Sequence, residues 1–213
     1  SNETLVVWNS ALLKSAKLIF PMLIFSVFFA EPIMTCMYGD IYAQSSIYFV
    51  IKNLSGLFYI IPFYPIILAI GKTNSYANAH MIAAFMIVIA EYVVCKTFDS
   101  AVYVAITSEL CNLVKIWLLL RVIANYAHMK ITELLPPKPM TILIMISALA
   151  SLPPFLLLDF LNMNKFIVLF VCLGFFLVDY YVLCWICKVT YRDIAGGFLK
   201  NKSRLNAVVK ILP

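Results

Sequence analysis

Six stretches of nearly unbroken apolar character run along the chain, at about 18–37, 46–70, 77–95, 100–121, 140–158 and 166–187. Each approaches the roughly 20 residues that a helix rising about 1.5 Å per residue needs to cross a hydrocarbon layer. The segments between them carry chain breakers: Gly39 with Asp40, Gly71 to Ser75, Lys96 to Asp99, the cluster Pro136, Pro137 and Pro139, and Asp159 to Lys165. The pattern predicts an all-α integral membrane bundle of about six transmembrane helices over 1–188, followed by a basic cytoplasmic tail over 189–213. No soluble domain boundary and no short-period repeat interrupts it.

Composition agrees with the pattern. The chain is 64% hydrophobic and 12% charged, with a mean hydropathy of +0.97, whereas about a quarter of a soluble domain is charged. The polar start at Ser1, Asn2 and Glu3, without an initiator Met and without a cleavage site after the first apolar stretch, reads as a piece of a longer polypeptide rather than a signal peptide. The six cysteines, at 36, 95, 111, 172, 184 and 187, sit in or beside apolar runs and read as small hydrophobes. Cys184 and Cys187 form a C-x-x-C without the second pair or the histidine that a zinc site needs.

Charge sets the orientation, because Lys and Arg stay on the cytoplasmic side of short loops. With six crossings, Lys14, Lys17, Lys72, Arg121, Lys130, Lys138, Lys188, Arg192, Lys200, Lys202, Arg204 and Lys210 fall on one side, and only Lys96 and Lys165 on the other. Both termini are therefore expected inside, in the inner (plasma) membrane. The net charge of +6 belongs largely to the tail. That tail reads either as an amphipathic helix on anionic lipid or as a disordered topology anchor, and it calls for no nucleic-acid partner.

Charges within the spans need a reason, since each costs roughly 2.5–3.5 kcal/mol near the bilayer centre. Glu31 and Lys52 lie at matching depths and can pair across the first hairpin; Lys115 and Asp179, both in the inner half, can form a second pair. Glu109 falls near the middle of the fourth span and asks for a polar cavity. Glu91, near the outer headgroups, and Lys115, within snorkelling reach of the inner ones, also fit plain structural roles. Pro62 and Pro65 should kink the second span, as in many transporters but also in channels and receptors. Tyr59, Tyr64, Tyr180 and Tyr181 can stack on a sugar, although interfacial anchoring accounts for most such tyrosines. His80 and His128 are expected in cytoplasmic connections. No H-E-x-x-H, nucleophile elbow, P-loop or acidic metal cluster occurs, so neither a catalytic constellation nor a cofactor is read.

The order of three features, KLIFPMLIFSVFFAEPI, then MYGDIYAQSS, then a kinked span ending LAIGKTNSYANAH, resembles the lipid-linked oligosaccharide (O-antigen) flippases among the polysaccharide biosynthesis proteins, relatives of the multidrug and toxin extrusion transporters. The matching positions are Tyr38, Gly39, Tyr42 and Ala43 in the outer loop and Ile70, Gly71 and Lys72 at the end of the second span. The likeness covers about the first 125 residues; KTFDSA at 96–101 departs from the glycines usual there. The resemblance implies most of the second lobe of a two-lobed transporter of twelve to fourteen helices, partnered by an N-terminal lobe and membrane lipids. Its implied work is to flip a polyprenyl-diphosphate-linked glycan to the outer leaflet by alternating access, without covalent chemistry. Lys52 and Lys115 then become candidates for the diphosphate, with Glu109 beside them and Glu31 and Asp179 as counter-charges or ion-coupling sites. A drug or cation antiporter, with Glu109 and Asp179 as its carboxylates, is the alternative within transport. A membrane-embedded glycan-modifying enzyme is the alternative outside it.

Overall fold

The computed structural model describes residues 2–158, 164–187 and 189, with side chains from Trp8 onward. The chain forms α1 (Asn2–Phe28), α2 (Ala30–Tyr38), a 3-10 segment (Asp40–Ser45), α3 (Ser46–Gly56), α4 (Phe63–Ala69), α5 (Thr73–Thr97), α6 (Ala101–Ala127), α7 (Ile131–Leu134), α8 (Pro137–Leu157) and α9 (Lys165–Ile186). Among the described residues this is an all-α bundle in which five helices are long and apolar enough to cross a membrane, at Trp8–Phe28, Thr73–Thr97, Ala101–Ala127, Pro137–Leu157 and Lys165–Ile186. The expected count of six is corrected to five because residues 46–70 do not form one helix. Most of the tail over 189–213 and of the loop over 159–165 lies outside the described residues.

Proline explains where the helices break. A proline donates no backbone hydrogen bond, and its ring crowds the carbonyl four residues earlier. Pro32 crowds Phe28, the last residue of α1; Pro62 and Pro65 crowd Phe58 and Ile61, inside the turn between α3 and α4. Pro21 is accommodated within α1. It leaves the carbonyl of Lys17 without its helical donor, and the hydroxyl of Tyr180 on α9 donates to that carbonyl at 3.4 Å. The side chain of Asn164 caps α9 by accepting from Phe166 N at 3.0 Å.

α1 is the central helix, packed between α8 and α3, while α8 pairs with α9 and α6 with α5. One core patch joins Phe25 and Phe29 to Ile146, Ala150, Cys172 and Phe176. Another joins Phe20 to Ile60, Ile61, Ile116, Leu120 and Leu143. α3 approaches α1 closely at Gly56, where an added Cβ would lie 3.0 Å from a methyl group of Leu23. α5 is the outlying helix: only Ala79 and Ala83 along it are buried, and Phe85, Val88, Ile89 and Tyr92 stand out from the bundle.

Contacts sort the two ends of the bundle. Lys165 at the start of α9 pairs with Asp40 just past α2, and the indole N–H of Trp8, near the start of α1, donates to the carbonyl of Leu134 in α7 at 2.7 Å. A cavity between the start of α5 and the end of α6 is lined by both Lys72 and His128. Lys72, Lys130 and Lys138 thus gather at one end, Asp40 and Lys165 at the other.

A candidate polar site between α2, α3 and α6

Lys52 lies six residues into α3, about 9 Å along its axis, and Glu109 eight residues into α6, which runs in the same direction, about 12 Å along. Packing of α3 on α6 brings the two together: Lys52 Nζ is 2.6 Å from Glu109 Oε1. The carboxylate is held on its other side by Asn112, one turn on, whose Nδ2 donates to Oε2 at 3.3 Å. A charge-assisted pair of this kind lowers the cost of keeping a carboxylate among apolar helices. The two partners differ in exposure: the Glu109 side chain is 12% exposed and that of Lys52 66%. The pair is anchored by its acid and open through its base.

Lys52 also closes one end of a groove of about 530 Å³ between α2 and α3, along which stand Tyr38, Tyr42, Tyr48 and Phe49. The rings of Tyr38 and Tyr42 meet at a tilt of 51°, with centroids 5.7 Å apart. One cation among several aromatic rings makes a surface that can take an anionic group at its base and apolar or sugar faces along its length. Beside this site, the hydroxyl of Ser108 on α6 donates to Glu91 of α5 at 2.6 Å.

The expected pairings are corrected. Lys52 is bonded to Glu109, not to Glu31, because the break before α2 and the 3-10 segment after it direct Glu31 elsewhere. Glu31 faces a cavity of about 800 Å³ shared with Thr35, Asp40, Ser46 and Lys165. Lys115 and Asp179 make no ion pair: α6 packs on α5, α3 and α4, whereas α9 packs on α8, α2 and α1. Lys115 is instead an electrostatic neighbour of His80. His80 itself is part of α5, its ring 4.4 Å from that of Tyr76, rather than part of a connecting loop. Glu109 also sits nearer one end of its helix than expected, because α6 continues to Ala127 and puts Lys115 close to its middle.

Of the tyrosines singled out for stacking, Tyr180 is buried in the core, Tyr64 packs on Tyr76 at 5.5 Å, Tyr181 stands exposed outside the groove, and Tyr59, exposed and outside the groove lining, is an electrostatic neighbour of Lys52. The rings beside Lys52 belong to the end of α2, the 3-10 segment and the first turn of α3. Their signal was the run MYGDIYAQSSIYFVIK, in which aromatics recur every four to six residues ahead of the lysine. Among the described residues, no three His, Cys, Asp or Glu side chains converge to hold a metal ion. No family model, curated protein or solved structure matches this chain.

Proposed function

We propose that this chain is one lobe of a transporter that carries a polyprenyl-diphosphate-linked oligosaccharide from the cytoplasmic to the outer leaflet by alternating access. The observation that carries the reading is the Lys52–Glu109 pair, whose lysine side chain is 66% exposed although it lies within an apolar stretch of the chain. Facing lipid, such a group costs roughly 2.5–3.5 kcal/mol; facing a polar cleft between two lobes, it costs far less and is available to a diphosphate. The rings of Tyr38, Tyr42 and Tyr48 along the same groove suit the faces of sugars. The class of substrate comes from the resemblance of the first 125 residues to the oligosaccharide flippases, and with it the expectation of an N-terminal partner lobe.

In this reading α3 and α4 together make a sixth, interrupted crossing. The sorting of the ends supports it, since Asp40 precedes α3 at one end of the bundle and Lys72 follows α4 at the other. Six crossings place both termini on the cytoplasmic side, with Lys72, Lys130 and Lys138. Interrupted helices serve transporters because the broken backbone lines a cavity and flexes with it.

The test is export of lipid-linked glycan in cells whose own gene is deleted. Complementation with the wild-type gene should restore export, Lys52→Ala should abolish it at equal expression, and Lys52→Arg should retain part of it. A deletion that leaves export intact but raises drug sensitivity replaces this reading with a drug or cation antiporter.

A further inference from the structure

Away from that groove, at the end of the bundle where Lys72, Lys130 and Lys138 gather, a cavity of about 450 Å³ opens between the start of α5 and the end of α6. It is lined by Lys72, Ser75, Val122, Asn125, Tyr126 and His128. None of these is acidic, and five carry a hydrogen-bonding side chain. The backbone fixes the arrangement: His128 is held in the left-handed region, at φ 54°, where it ends α6. Its amide donates to the carbonyl of Asn125 at 3.4 Å, and that of Met129 to Ala124 at 3.0 Å. On α6, Arg121 lies one turn before Asn125 and on the same face, its guanidinium 5.3 Å from the ring of Trp117. The nearby carboxylate of Glu133 is engaged by the amide of Lys130 at 3.0 Å.

We infer that this cavity is a binding site for a phosphate group, separate from the Lys52 groove. A polar pocket between helix ends at the water boundary, with a lysine ammonium on one wall and imidazole, amide and phenol groups on the other, matches the charge and hydrogen-bonding demand of a phosphate oxygen cluster. Basic pockets between transmembrane helices hold anionic lipid head groups by the same chemistry. The phosphate can belong to such a head group or be free. The site does not depend on what the protein transports.

The experiment is native mass spectrometry of the full chain in detergent, with phosphatidylglycerol and phosphatidylcholine as paired probes and inorganic phosphate as competitor. Wild type should retain phosphatidylglycerol in preference to phosphatidylcholine. Lys72→Gln should weaken that retention about five-fold, Lys72→Arg should preserve it, and His128→Asn, whose side chain tolerates the left-handed backbone, should weaken it. Lys138→Gln, basic and at the same end but outside the cavity, should leave it unchanged. Displacement of the lipid by millimolar phosphate supports the site with a free anion as occupant; retention against phosphate supports it with the head group. Equal retention by wild type and Lys72→Gln, or an equal loss in Lys138→Gln, overturns the inference. Survival of binding in Lys72→Arg separates loss of the cation from loss of the fold.

Discussion

Glu109 accepts from Lys52 at 2.6 Å and Asn112 at 3.3 Å, and gives the lysine its only ion pair among the described residues. Replacing it with Ala removes the acceptor of an ammonium that is itself open to solvent. Glu109→Ala should lower the free energy of unfolding in mixed micelles by about 0.5–1 kcal/mol, the upper range for an ion pair with an exposed partner. The double variant with Lys52→Ala should lose less than the sum of the two single changes, and strict additivity would argue against the pair. Gly56 makes a second residue-scale case. A Cβ there meets only the flexible end of Leu23, so Gly56→Ala should be tolerated. Gly56→Ile has nowhere to place its branch and should cost about 1–3 kcal/mol by forcing α3 away from α1; thermal unfolding of the two variants side by side measures the difference. At this scale the sequence singled out both members of the pair but assigned Lys52 the wrong partner. Counting residues along helices yields depth, and depth matched Lys52 to Glu31 while placing Glu109 near the middle of its span. The direction in which each faces depended on the break at Phe29 and on the packing of α3 against α6, which no residue count contains.

At the scale of elements, the prolines decide most of what hydrophobicity does not. The apolar runs at 77–95, 100–121, 140–158 and 166–187 were legible because each is long, lacks an internal proline that breaks it, and is bounded by polar residues. α8 shows that Pro153 and Pro154 can be carried near the end of a helix. The run at 46–70 was legible as apolar and as kinked, but a kink became a break because Pro62 and Pro65 remove two donors three residues apart. Replacing both with Ala restores those donors and removes the ring clashes at Phe58 and Ile61. Pro62→Ala combined with Pro65→Ala should therefore join α3 to α4. The amides of 58–61 should then exchange with solvent roughly tenfold more slowly, as followed by hydrogen–deuterium exchange. Unchanged exchange would mean that core contacts of Ile60 and Ile61, both buried, hold the turn without the prolines.

For the molecule as a whole, the division into a buried centre and an exposed periphery follows from its solvent. Lipid chains are as apolar as leucine, so helices gain little from hiding Phe85 or Val88, and α5 leaves them outside. Small and aromatic residues at the α1, α8 and α9 contacts, such as Ala150, Cys172 and Phe29, supply packing instead. The same reasoning makes an exposed lysine informative where an exposed phenylalanine is not, and the account of a polar path rests on that contrast. It is tested most directly by thiol accessibility in membrane vesicles, in protein whose native cysteines are replaced. Lys52→Cys and Phe85→Cys are treated with a charged, membrane-impermeant thiol reagent from each side. The account predicts modification at position 52 from at least one side and none at position 85. Protection of position 52 equal to that of position 85 would place Lys52 against lipid and contradict the proposed path.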